Sequence, residues 1–197
     1  MAKSTSLLLL LSLLFFTTTA MAAATTKRSA DTTFIKTSCK STTYPALCVQ
    51  SLSTYASTIQ KSPRQLALTA LSVSLTRAQS TKSYVTKLKK FKNLKHREVE
   101  AIADCLEEMG DTVDRLSKSV QELKHMGQAK GQDFLWHMSN VETWVSAALT
   151  DENTCVDGFA GKALNGKIKD SIKAQVVNVA QVTSNALALI NKFAATH

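Results

Sequence analysis

From Val99 to Leu123 the apolar residues of this chain recur in alternating steps of three and four without a break. They are Val99, Ile102, Leu106, Met109, Val113, Leu116, Val120 and Leu123. A helix turns once every 3.6 residues, so this spacing lines one helical face. Such a helix, expected from about His96 to Met126, is stable only when other helices cover its stripe. Three weaker stripes supply them. Ser62-Pro63 is a capping serine before a proline suited to the first helical position, and opens a helix expected to run to about Lys90. Its stripe is Leu68, Leu71, Leu75, Ala78, Val85 and Leu88, interrupted by Lys82. A helix from about Gly131 to Thr150 carries Phe134, Met138, Val141, Val145 and Ala148 on one face. A last one, from about Lys167 to Ala194, carries Ile172, Val176, Val179, Ala186, Ile190 and Phe193, with Thr183 filling one step. Only six glycines and two prolines occur in 197 residues, too few turn formers for a strand-rich fold. The expected fold is an all-α, antiparallel four-helix bundle over residues 62–195. Ahead of it, residues 30–60 read as a helical hairpin, with helices at 32–39 and 44–60.

Residues 1–24 read as a secretory signal peptide. Lys3 precedes an apolar run from Leu7 to Phe16, and Ala20-Met21-Ala22 or Ala22-Ala23-Ala24 fits the peptidase. The run is shorter than the ~20 residues a spanning helix needs, so no membrane segment is expected once the signal is removed. What remains, 25–197, suits one domain. Removing Lys3 takes the formal charge from +9 to about +8.

Four cysteines behind a signal peptide read as two disulfides, for which three connectivities exist. Cys39 and Cys48 are close enough to shut a local loop, which leaves Cys105 with Cys155. With the turn between the second and third long helices near residue 129, Cys105 lies about 24 residues before it and Cys155 about 26 after it, at matched heights on antiparallel helices.

The sequence offers no catalytic constellation. His96, His125, His137 and His197 form no H-E-x-x-H and flank no nucleophile motif. With all cysteines bonded, no free thiol remains, and neither metal nor cofactor is expected. Glu107 and Glu108 are neighbours, so on a helix they diverge by about a hundred degrees and make a poor acid/base pair. The run 82–97, KSYVTKLKKFKNLKHR, holds Lys82, Lys87, Lys89, Lys90, Lys92, Lys95 and Arg97 at the connection between two helices. It reads either as a solvated basic end or as an attractor of a polyanion, which for a secreted protein is an acidic polysaccharide or a membrane surface and not nucleic acid. Trp136 and Trp144, eight apart, read as buried packing. Thr150-Asp151-Glu152-Asn153 reads as a polar turn before Cys155, and the pinned segment reads equally as a contact surface for a partner or as a stapled helix end.

Four stretches carry a resemblance: CKSTTYPALCVQSL from Cys39, CLEEMGDTVDRL from Cys105, NVETWVSAALTDENTCVDGF over 140–159, and NVAQVTSNALALI from Asn178. Together they make the mature chain similar to plant invertase/pectin methylesterase inhibitor-domain proteins. The resemblance implies a four-helix bundle behind a helical hairpin, with one disulfide inside each. It implies an extracellular protein of the plant cell wall that is an inhibitor and not an enzyme. Invertase inhibitors of the family carry Pro-Lys-Phe near the last helix. Here GFAGKALNGKIKD stands instead, so the resemblance leans toward the pectin methylesterase branch, acting by steric occlusion of the pectin cleft in a one-to-one complex. The alternatives are an inhibitor of cell-wall or vacuolar invertase and a non-inhibitory wall protein that holds acidic polysaccharide. The expected partner-binding residues are Glu107, Asp111, Thr154 and Asp157. Met109 departs from the tyrosine common in the family's C-x-E-x-Y-x-D segment.

Overall fold

The computed structural model describes residues 29–91, 94–161, 164 and 166–196. The leader, Lys92 of the basic run and His197 lie outside the described residues. Everything described is helix, turn or coil. Residues 29–39 form α1. Then come α2 (Pro45–Leu52), a 3-10 turn (Ser53–Tyr55), α3 (Ala56–Ile59), α4 (Pro63–Leu88), α5 (His96–His125), α6 (Gly131–Asp157) and α7 (Lys167–Ala194).

The first two long helices begin where the sequence supplies a start. Ser62 stays extended, and its hydroxyl accepts a hydrogen bond from the Gln65 backbone at 3.2 Å ahead of Pro63. Glu98 reaches back to accept from the Lys95 backbone at 2.8 Å, closing the first turn of α5. Gly127 and Gly131, both with φ of 56°, let the chain reverse between α5 and α6 without a Cβ penalty.

The four long helices form a ring in which α4 packs on α5 and α7, and α6 packs on α5 and α7. The α5/α6 edge and the α4/α7 edge are therefore opposite sides of the bundle. Ile102, Met109, Leu116, Val120 and Leu123 are buried, as the α5 stripe requires, while Val99 at its start is exposed and Leu106 and Val113 are half-buried. Every residue of the α6 and α7 stripes is buried, Thr183 included, and Phe134 meets Phe193 edge-to-face at 5.7 Å. The α4 stripe runs through smaller residues than expected. Ala67, Ala70, Ser74, Ala78 and Thr81 are buried beside Leu71 and Val85, whereas Leu68 and Leu75 are half-buried. The Ser74 hydroxyl donates to the Ala70 carbonyl one turn back, so its polar atom is satisfied within its own helix.

Both disulfides pair as the spacing indicates. Cys39 joins Cys48 with Cα atoms 5.7 Å apart, and Cys105 joins Cys155 at 4.3 Å. Two expectations about the backbone fail. The second hairpin helix, taken as 44–60, is interrupted by the 3-10 turn at 53–55, where the Ala56 N–H bonds the Ser53 carbonyl three residues back instead of one four residues back. The polar turn at 150–153 does not exist: α6 runs through it to Asp157. Thr150 to Asp157 contains no glycine or proline, and the helix stops at Gly158.

The hairpin lies along the α4/α7 edge. Asn185 of α7 grips the backbone of Tyr44 at two points: its carbonyl oxygen accepts from the Tyr44 N–H and its amide donates to the Tyr44 carbonyl, both at 2.9 Å. Farther along, Arg77 donates to Ser51 at 3.2 Å and also bonds Asn178. Asn185→Ala should remove both bonds and leave the partly buried Tyr44 peptide short of partners, a loss of roughly 1–3 kcal/mol. Urea unfolding should show a lowered midpoint, and amide exchange should accelerate over α2 before α5. Unchanged α2 protection would show that the clamp does not hold the hairpin.

Candidate functional site

The α5/α6 edge gathers the residues singled out by sequence. Glu107 and Asp111 sit one turn apart on α5, and Thr154 and Asp157 sit near the end of α6; all four are exposed. Cys105 lies two residues before Glu107, and its partner Cys155 lies one after Thr154. The two helices are therefore held together by a covalent cross-link as well as by packing. Thr154 is not part of a loop. Its hydroxyl donates to the Thr150 carbonyl at 3.0 Å, as the Thr150 hydroxyl does to Ser146 at 3.1 Å.

Beside them lies a charged strip that the sequence only partly signals. The Nε of Arg115 donates to the Asp151 carboxylate at 2.7 Å, and its Nη2 stands 3.6 Å from Asp111. Asp151, expected in an exposed turn, is 8% exposed as a residue and ties α6 to α5. Burial raises its carboxyl above the usual range, against the lowering influence of Arg115. Glu108 is raised as well, first by burial and then by Asp151, Asp111 and Glu107, with Arg115 acting in the opposite sense. These carboxylates share one guanidinium.

Behind this strip, Glu152 is wholly buried. One carboxyl oxygen accepts from the Thr183 hydroxyl at 2.8 Å, and the other has no partner among the described residues. Burial pushes it up to about 8, opposed by the Thr183 bond and reinforced by Asp151. Nothing local in the sequence marks Glu152 as internal. The signal is its place one turn before Cys155, on the side of α6 that must face α7 once the disulfide orients the helix.

Farther along the same helix pair, Glu122 accepts from the Asn140 amide at 2.9 Å and lies 2.9 Å from the His137 ring. Those bonds, Asn140 first, hold its carboxyl below the usual range. Trp136, expected inside, is 67% exposed next to an exposed Leu135, while Trp144 is half-buried. Trp136 stands outside the buried positions Phe134, Met138 and Val141, which take the inner face of α6.

A sequence model of the family described as plant invertase/pectin methylesterase inhibitor matches residues 33–189. The chain is 65% identical over 164 residues to a 21 kDa protein of Daucus carota, covering 83% of this chain and 85% of that one. It is 57% identical over 162 residues to pectinesterase inhibitor 11 of Arabidopsis thaliana, covering 82% and 80%. In three dimensions it superposes on a mutant form of a pectin methylesterase inhibitor from Arabidopsis with a TM-score of 0.63 at 20% identity, covering 78% of this chain and 92% of that one.

Glu152 makes stability depend on pH in a definite direction. Folded, it holds its proton up to about pH 8; unfolded, it releases it near 4.5. Between those values the unfolded chain binds fewer protons, so stability falls as pH rises through that window and the loss is complete above it. Its full size is on the order of 5 kcal/mol, at ~1.4 kcal/mol per tenfold change in proton affinity. Melting should therefore occur at a lower temperature at pH 8.5 than at pH 5.5. In Glu152→Gln, which has no proton to lose, most of that difference should disappear. An equal pH slope in parent and variant would assign the effect to other groups.

Proposed function

Because the chain belongs to the plant invertase/pectin methylesterase inhibitor family, we propose that it is a secreted inhibitor of plant pectin methylesterase in the cell wall. The observation that carries this reading is the likeness to pectinesterase inhibitor 11 along four fifths of both chains. The absence of Pro-Lys-Phe in the stretch 158–170 supports the same branch over invertase.

The mechanism is steric. The α5/α6 edge docks on the enzyme, with Glu107, Asp111, Thr154 and Asp157 as contacts, and the body of the bundle excludes pectin from the cleft. No covalent step is involved. What suits the edge to this role is its rigidity: two long helices joined by a disulfide and by the Arg115–Asp151 bond lose little freedom on binding. Asp111 and Thr154 are exposed and remote from the core, so truncating them leaves the fold intact; Arg115 keeps Asp151 when Asp111 is gone. The basic run 82–97, on another part of the surface, is an attachment point for acidic wall polysaccharide.

Purified protein should inhibit a plant pectin methylesterase and leave an acid invertase active when both are assayed in parallel. Asp111→Ala and Thr154→Ala should each weaken inhibition without loss of helical circular dichroism. For Asp111 the cost should be roughly 1.5–3 kcal/mol, the range for a hydrogen bond to a charged group. Two folded variants that inhibit as well as the parent would remove these contacts from the interface, and inhibition of invertase alone would reverse the choice of target.

A further inference from the structure

The ends of the helices bring together two segments that are far apart in sequence. In an antiparallel bundle the α4–α5 and α6–α7 connections share one end, and here they meet. Tyr84 and Leu88 of α4 and Phe91 of the connection after it line a cleft of about 270 Å³ with Lys167, Ile168 and Ser171 at the start of α7. The hairpin's bonds to the α4/α7 edge reach Arg77 and Asn178, and the cleft lies beyond them on the same edge. Phe91 is 61% exposed.

The charge around the cleft is strongly one-sided. Lys87, Lys89, Lys90, Lys95 and Arg97 are exposed in and beside the α4–α5 connection, and Lys167 is exposed at the start of α7. Lys169 adds a further cation and donates to the Gly161 carbonyl at 3.3 Å. The acidic residues nearby in sequence are Glu98, Glu100 and Asp170. Glu98 is used by the Lys95 backbone, and Glu100 lies 3.3 Å from His96. The cations remain in excess. They also extend past the basic run of the sequence, because Lys167 and Lys169 arrive from α7.

We propose that this cleft binds a linear polyuronate, a chain of sugar rings each bearing a carboxylate. The lysines supply separated point charges on both sides of the cleft, and Phe91 and Tyr84 line it with aromatic rings for the apolar side of a sugar ring. The cleft is smaller than the ~300–1,000 Å³ pockets that engulf a small ligand, and suits a polymer lying across it. A membrane surface fits less well. Insertion needs a broad apolar face, and among the described residues this end exposes only Phe91 and Val99 as large apolar side chains. The identity of the polymer rests on the function proposed above: removal of methyl esters from pectin leaves a polyuronate, so the inhibitor would be held where its target has worked. The cleft and the α5/α6 edge lie on opposite sides of the ring, so both can be occupied together.

The test measures binding of the full chain to polygalacturonate, to highly methyl-esterified pectin, to heparin and to vesicles of phosphatidylserine and phosphatidylcholine. Polygalacturonate should bind best, and its affinity should fall by about tenfold or more as salt rises from roughly 0.05 to 0.5 M. The variant Lys89→Gln/Lys90→Gln/Lys167→Gln should lose about tenfold at low salt, as a pairing of charges requires. The matching arginine variant should retain binding, which separates charge loss from misfolding. Phe91→Ala should weaken binding even at high salt. Inhibition of pectin methylesterase should be unchanged in all of them. No binding by the parent, equal binding to heparin or vesicles, or full binding by the glutamine variant would overturn the proposal. Failure of the parent to inhibit the enzyme would instead strike the functional reading, because polygalacturonate binding is read without the enzyme.

Discussion

The bond between Cys105 and Cys155 organises the molecule. It ties α5 to α6 with their Cα atoms 4.3 Å apart. Once it is in place, the rotation of α6 about its own axis is decided. Asp151 must face Arg115, and Glu152 must face Thr183 on α7. At the other end of the same pair, Glu122 takes Asn140 and His137. The α5/α6 pair is thus pinned along its length by one covalent and several polar links, and α4 and α7 close the ring against it.

The opposite edge is made differently. The packed face of α4 consists largely of alanine, serine and threonine, which leaves room for close approach but supplies little apolar area per residue. The hairpin makes up for this by adding Leu52, Ala56 and Ile59 to the core over that edge. At the start of α4, Arg64 donates to the carbonyls of Leu123 and Lys124, so one helix caps the C-terminus of its neighbour. A rigid covalent edge and an edge assembled from small residues and borrowed caps suit different tasks, one presenting a fixed surface and the other accommodating an added element.

Most of the architecture is legible in the periodicity of the chain. The α5 stripe, the α7 stripe and the Ser62-Pro63 start are local patterns, and local patterns survive in a sequence. The disulfide pairing follows from counting residues to a turn. The errors lie where a polar residue takes part in the interior. Thr150 to Asn153 resembles a turn because polar residues usually face water, yet Asp151 and Glu152 meet Arg115 and Thr183, which are 36 and 31 residues away. Asn185 meets Tyr44 across 141 residues. Pairings at such separations leave no local mark. Trp136 misleads for the converse reason: its size suggests burial, but its neighbours Phe134 and Met138 already occupy the inner face of the helix.

The hydroxyls along α6 give the α5/α6 edge a polarity. Thr150 and Thr154 have each turned their hydrogen toward a carbonyl one turn back, so what they present outward is lone pairs. Glu107, Asp111 and Asp157 present lone pairs as well, and the guanidinium of Arg115 is engaged by Asp151 with Asp111 beside it. These exposed oxygens accept hydrogen bonds and offer none outward. A protein that docked on them, as proposed above, would have to bring the hydrogens: arginine or lysine heads, amides, or the free N–H groups at the start of a helix. The lysines at the bundle end have the reverse character. The protein therefore carries acceptor-rich and cation-rich groups of side chains at separate places on its surface, with opposite chemical character.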